Sequence, residues 1–237
     1  MEAAIRPMLI LGIETATHQT SVAIGTLEGV TASHSVRNER RHVESLVPAI
    51  DYLCREMSVE VGSVDVVAVD RGPGLYTGLR VGIATAKAIA YAACVAAIGI
   101  CSLDVLAFSA RLCRRRIVPM IDARRGEIYF AQYRSVEGGV EAITEPGVAK
   151  PEEVLRRLPP ISEGYLIIGD GGRRYAGSFV REDMEIADAG LAFPDAASLV
   201  DLARRRLDET GAEQCTEPLY LRPADVTPAK IRSGQSS

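Results

Sequence analysis

Residues 64 to 97 constrain this chain more than any other stretch. Val64 to Val69 is a short β-branched run of the kind found in a buried strand, and it leads into Arg71-Gly72-Pro73-Gly74-Leu75-Tyr76-Thr77-Gly78. Leu79 to Ala97 then reads as a helix rich in alanine, the best helix former, with Thr77 as a candidate cap. A strand feeding a glycine loop and then a helix is a unit of α/β sheets with a parallel component. The loop also has a chemical reading. Glycines turn the backbone sharply and leave N–H groups bare, and a helix N-terminus adds partial positive charge, so Gly72, Gly74, Thr77 and Gly78 form a candidate nucleotide or anion loop. The rival reading is a structural turn: Leu79 and Arg80 stand where a P-loop carries Lys-Ser/Thr, and the glycine spacing misses the dinucleotide fingerprint.

Around this unit, Met8 to Ile13 and Ser21 to Thr26 read as strands joined by a polar link. From His42 to Met57 the positions Val43, Leu46, Val47, Ile50, Leu53, Cys54 and Met57 fall at spacings of three and four, which predicts an amphipathic helix interrupted by Pro48. Ala97 to Cys101 reads as a strand and Leu103 to Arg114 as a helix. At Ile117 the pattern restarts with strands at Ile117 to Ala123 and Ile128 to Tyr133, a helix at Pro151 to Leu158, a strand at Tyr165 to Ile168, a turn at Gly169 to Gly172 and a helix at Ala196 to Leu207. Glu14 and Asp122 each end the first strand of a hairpin, a weak internal symmetry that suggests a duplicated domain. The expected division is 1–110, 111–222 and a loose tail over 223–237.

Composition narrows the function classes. A formal net charge of −4 excludes a globally basic nucleic-acid binder, and the basic runs Arg111 to Arg116 and Arg204 to Arg206 read as solvated helix faces. Five cysteines inside apolar segments without a C-x-x-C pair read as buried cytosolic thiols. Met1 to Pro7 carries no secretory pattern, and Ala88 to Cys101 is too short and too weakly apolar for a bilayer span, so a soluble cytoplasmic protein is expected, with no membrane partner. No G-x-S-x-G elbow or Cys/His pairing supplies a nucleophile.

The segment 71–82 resembles the R-G-P-G-S-F-T-G-L-R-I-G signature of the TsaB (YeaZ) family, with Leu75 and Tyr76 in place of Ser and Phe. The resemblance continues through Ile13-Glu14-Thr15-Ala16-Thr17, where Glu14 replaces Asp, and through His42 to Pro48, Ala84 to Lys87 and Ser102 to Asp104. It extends to Ile121-Asp122-Ala123-Arg124-Arg125-Gly126-Glu127-Ile128-Tyr129 and to Glu217-Pro218-Leu219-Tyr220-Leu221-Arg222. It implies two actin-like (ASKHA, ribonuclease H-like) α/β domains, each a mixed sheet flanked by helices. It also implies a non-catalytic subunit of bacterial tRNA N6-threonylcarbamoyladenosine synthesis, which binds the TsaD transferase, is joined by the TsaE ATPase, meets tRNA through the complex and forms a homodimer when alone.

The family's helix pair implies Leu46, Ile50, Leu53, Ile83, Lys87 and Tyr91 as partner contacts. The expected catalytic set and metal set are empty. TsaD holds its metal through a histidine pair on its first long helix; here that helix carries His42 alone, with Asn38 and Leu46 four residues to either side, while His18 and His34 lie elsewhere. No cofactor is required on this reading, although ATP or ADP could bind at Gly169 to Gly172 without turnover. Two other classes stay open. One is an actin-like ATPase or small-molecule kinase using Glu14 and Asp122; the other is a metal-dependent glycopeptidase-like protein.

Overall fold

The computed structural model describes residues 6–37, 42–210 and 216–222; Asn38, Cys215 and the expected tail 223–237 lie outside the described residues. The first half runs β1 (Ile10–Glu14), β2 (Gln19–Thr26), β3 (Gly29–Arg37), α1 (His42–Glu56), β4 (Val66–Asp70), α2 (Tyr76–Ala93), β5 (Ala96–Ile100) and α3 (Ser102–Ser109). The second runs β6 (Arg116–Arg124), β7 (Glu127–Phe130), β8 (Tyr133–Val136), β9 (Gly139–Ala142), β10 (Gly147–Ala149), α4 (Pro151–Arg156), β11 (Tyr165–Ile168), α5 (Asp170–Arg174), β12 (Met184–Ile186) and α6 (Ala196–Thr210).

The weak internal symmetry of the sequence becomes a topological identity. One sheet has the order β3-β2-β1-β4-β5, and the other contains the path β10-β7-β6-β11-β12. In each, the central strand has an antiparallel hairpin partner on one side and a parallel strand on the other. The outer pairs match as well, antiparallel at one edge and parallel at the other. Strands β8 and β9 extend the second sheet beside β6.

Both faces of each sheet are covered, which is why the central strands are apolar at nearly every position. Leu11 and Ile13 of β1 face α1 and α2, while Ile10 faces α6. In β6, Ile117 and Ile121 face α3, and Val118 and Met120 face the side of α4. The helices cross between the sheets. Although α3 precedes residue 110, its Leu103, Leu106 and Ala107 pack in the core of the second sheet. Conversely, α6 lays Ala196, Leu199, Val200 and Ala203 on the back of the first sheet.

Several local expectations are revised. The helix after the glycine loop begins at Tyr76, so Thr77 sits inside its first turn; the N-cap is Leu75, without a side-chain cap bond. The reason is tertiary, because the Ala16 carbonyl accepts the Leu75 N–H at 2.7 Å and sets where the chain turns. α1 continues through Pro48 without a break. β3 escaped the sequence reading because it is an edge strand of low hydrophobicity, alternating half-buried Val30, Ala32, His34 and Val36 with exposed Thr31, Ser33, Ser35 and Arg37. α3 ends at Ser109, where Arg111 donates to the Phe108 carbonyl at 3.2 Å, so Arg111 to Arg116 is a turn entering β6 rather than a helix face. Gly169 to Gly172 opens the short helix α5.

Candidate functional site

The paired sheets bring four carboxylates to the C-terminal ends of their central parallel strands. Glu14 ends β1, Asp70 ends β4, Asp122 lies near the end of β6 and Asp170 follows β11. Glu14, Asp70 and Asp122 each turn back on the backbone two residues ahead, accepting the N–H of Ala16 (2.7 Å), Gly72 (2.7 Å) and Arg124 (2.9 Å). Local Asx-type turns of this kind favour acids where a strand must bend sharply. Asp170 accepts the Asp122 N–H at 3.0 Å, tying the second pair together.

The two pairs differ in electrostatics. Asp122 has the guanidinium groups of Arg124 and Arg174 at 3.5 Å each. Glu14 and Asp70 are fully buried. Asp70 also accepts the Ser102 hydroxyl at 2.5 Å, but Glu14 Oε2 and Asp70 Oδ2 have no further donor. Burial first, and then the Asp70 charge, pushes the Glu14 carboxyl well above the usual carboxylate range; burial also raises Asp70. Two carboxyls buried beside each other away from water disfavour the doubly ionised pair, and Glu14 is held toward its protonated form. Burial likewise raises Asp170, and it pushes the nearby Cys101 thiol up to about 12, so Cys101 presents no thiolate nucleophile.

The glycine loop packs against the β1–β2 turn. A Cβ on Gly74 would stand 2.2 Å from the Ala16 carbonyl oxygen, and the Gly78 carbonyl accepts the Thr15 hydroxyl at 2.8 Å. The Gly72 carbonyl takes the Ser102 N–H at 2.9 Å. Gly72, Gly74 and Gly78 therefore have internal partners or contacts, while Thr77 is exposed on α2. Across the cleft, Arg124 donates to His18 Nε2, joining the two hairpins. Among the described residues no three His, Cys, Asp or Glu side chains converge as a metal site. Sequence reading passed over Asp70; its signal was an acid at the junction between an apolar run and a glycine loop.

The helix pair α1 and α2 covers one face of the first sheet. Leu46, Ile50, Leu53 and Ile83, expected as partner contacts, are buried in the lobe's own core, because the sheet claims the dominant apolar stripe of each helix. Lys87 and Tyr91 do stand at the surface, Lys87 paired with Glu217 at 3.3 Å and Tyr91 88% exposed. Val47 and Tyr52 of α1 are 60% and 51% exposed. Between the helices runs a largely apolar groove, whose lining includes Val47, Ile50, Cys54, Val61, Ala88 and Ile89.

Two equivalent sheets that each present a hairpin and an acid-ended central strand to a shared cleft define an actin-like, two-lobed α/β protein. The activator of 2-hydroxyisocaproyl-CoA dehydratase from Clostridium difficile shares this fold, with a TM-score of 0.50 at 10% identity over 86% of this chain and 97% of that one. The family model described as TsaD: tRNA N6-adenosine threonylcarbamoyltransferase matches residues 29–226. The tRNA threonylcarbamoyladenosine biosynthesis protein TsaB of Escherichia coli is 30% identical over 220 residues, covering 91% of this chain and 95% of the relative. The structure of YeaZ from Pseudomonas aeruginosa superposes with a TM-score of 0.80 at 27% identity, over 92% of this chain and all of that one (100%). The chain belongs to the TsaB (YeaZ) family, within the reach of the TsaD family model.

Proposed function

We propose that this chain is a non-catalytic subunit of tRNA threonylcarbamoyladenosine synthesis that docks on a TsaD-type transferase through the outer faces of α1 and α2. The observation that carries the reading is the exposure of the large side chains Val47, Tyr52 and Tyr91 on helices whose inner faces are already satisfied by their own sheet. The apolar groove between the helices, lined by Val47, Ile50, Ala88 and Ile89 among others, suits close helix packing. A stable contact of this kind buries about 1,200–2,000 Å² in total.

On this reading the TsaE ATPase joins the assembly, tRNA is met through the complex, a second copy of the chain competes for the same face, and the work is cytoplasmic. The chain needs no metal or nucleotide of its own. Supporting that view, Glu14 and Asp70 are sealed from solvent and burial raises both carboxyls, which leaves them poorly suited to organise magnesium and phosphate. Among the described residues no helix is long and apolar enough to cross a membrane.

The test is reconstituted threonylcarbamoyl transfer to unmodified tRNA, with matching TsaD, TsaE and the adenylate-forming enzyme, with and without this chain, read by mass spectrometry of nucleosides. Modification should vanish when this chain alone is omitted, and the chain alone should transfer nothing. Unchanged modification without it would overturn the reading and direct attention to magnesium-dependent ATP turnover and its loss in Glu14 or Asp122 variants.

A further inference from the structure

The segment Thr216–Arg222 is bonded to both lobes. On the first lobe, the Leu219 N–H donates to the Arg71 carbonyl at 2.7 Å, and Glu217 pairs with Lys87 at 3.3 Å. The Tyr220 ring lies against Tyr76 with centroids 5.2 Å apart, and Arg80, 4.0 Å over the Tyr76 ring, also bonds Tyr220. On the second lobe, Arg222 donates to the Ala123 carbonyl at 3.1 Å and forms an ion pair with Glu127 at the start of β7. Leu219 and Leu221 pack on the core that also holds Ile121 and Tyr129.

Leu219, Tyr220 and Arg222 thereby line one side of the interlobe cleft, whose other walls are Gly74 to Tyr76 and Asp122 to Arg124. Two sequence motifs more than a hundred residues apart, the glycine loop and Glu217-Pro218-Leu219-Tyr220-Leu221-Arg222, meet in this one contact. The first lobe is gripped through Arg71, Tyr76, Arg80 and Lys87, the second through Ala123 and Glu127. Rotation of one lobe against the other must therefore break one set of bonds or the other.

We propose that Thr216–Arg222 is a latch that holds the two lobes closed on each other and keeps the cleft shut. The closed cleft measures about 220 Å³, below the roughly 300–1,000 Å³ of sites that enclose small molecules and cofactors. The latch is reversible by construction, since its ion pairs are partly solvated and individually weak, and it holds by acting at several points together. It shares α2 with the docking face proposed above, gripping that helix at Tyr76, Arg80 and Lys87, whereas Val47 and Tyr52 of that face lie on α1, which the latch contacts do not include.

The test exchanges the charges of the Arg222–Glu127 pair in the full chain. Arg222→Glu and Glu127→Arg are made singly and together, and hydroxyl-radical footprinting of Tyr129 is combined with amide hydrogen exchange over residues 122–128. Each single variant should raise Tyr129 modification and hairpin exchange at least about fivefold, and the double exchange should recover part of that protection, since it restores the ion pair but not the Arg222 bond to the Ala123 carbonyl. Tyr220→Ala, which removes the ring contact with Tyr76 and the Arg80 bond but leaves the backbone and Arg222 contacts, should open the cleft in the same assays and serves if a charge variant fails to fold. Parent-like protection in Tyr220→Ala and in the folded single variants, or a double exchange no better protected than the singles, would overturn the latch.

Discussion

In a Glu14→Gln variant, the side-chain Oε1 keeps the Ala16 N–H as its donor, and the Nε2 hydrogens stand in for the carboxyl proton that burial favours on Glu14. The parent carries an acid whose folded pKa lies above its unfolded value of about 4.3, because burial and the Asp70 charge disfavour the anion. Such a group holds its proton more tightly when folded. Its stabilisation is fully present below the unfolded pKa and is lost as pH rises through the folded one, with a slope of at most about 1.4 kcal/mol per pH unit for one proton. At about 2–4 °C per kcal/mol for a protein of this size, that is up to about 3–6 °C in Tm per pH unit. The variant has no such proton to lose. Thermal and urea unfolding followed by circular dichroism from about pH 5 to about pH 8 should therefore show the variant gaining on the parent as pH rises. Asp170, raised, and Asp183 and Glu163, lowered, are common to both proteins and cancel in the difference. A parent-minus-variant difference constant across this range would refute a Glu14 carboxyl held protonated by burial. Glu14→Ala, which strands the Ala16 N–H and leaves a buried void, should instead cost about 2–4 kcal/mol.

Gly74→Ala forces a Cβ to within 2.2 Å of the Ala16 carbonyl oxygen, so the β1–β2 turn must move; about 3 kcal/mol should be lost in denaturant unfolding, and a parent-like midpoint would show that the loop does not rest on that turn. Gly169→Ala meets both a φ of +99° and the Met120 carbonyl oxygen at 2.1 Å, and should lower Tm by about 6 °C or more. Leu46→Ala should cost about 2–5 kcal/mol as a core truncation, read by urea unfolding. Tyr91→Ala, at an exposed position, should stay within about 0.5 kcal/mol of the parent yet weaken calorimetric affinity for TsaD about tenfold or more; unchanged affinity would remove Tyr91 from the docking face.

Strong local patterns carried much of the fold. Tyr165–Ile168 matches its expected strand, β6 and α1 lie within a residue or so of their expected bounds, and the strand, loop and helix around Gly72 appear in order because each element is specified by its own neighbours. β3 did not reveal itself, since an edge strand buries only half its side chains and needs little hydrophobicity. In the candidate site, Glu14 and Asp122 were legible as strand-ending acids at hairpins, whereas Asp70 was not, because its meaning depends on Glu14 being beside it across two parallel strands.

By itself the amino-acid sequence determined the α/β class, the duplicated hairpin, the two helices that flank the first sheet and the family to which the chain belongs. Those properties reside in periodicity and in ordered motifs, which a linear string records. Only the tertiary structure decided which face of each helix is free: Leu46, Ile50, Leu53 and Ile83 turn inward, and Val47, Tyr52 and Tyr91 remain outside. It also decided that α3 serves the second sheet and α6 the first, that Glu14 and Asp70 are buried beside each other, and that residues 216–222 reach back to Arg71 and Lys87. Each of these depends on which residues distant in the chain exclude water from one another, and separation along the chain carries little of that information.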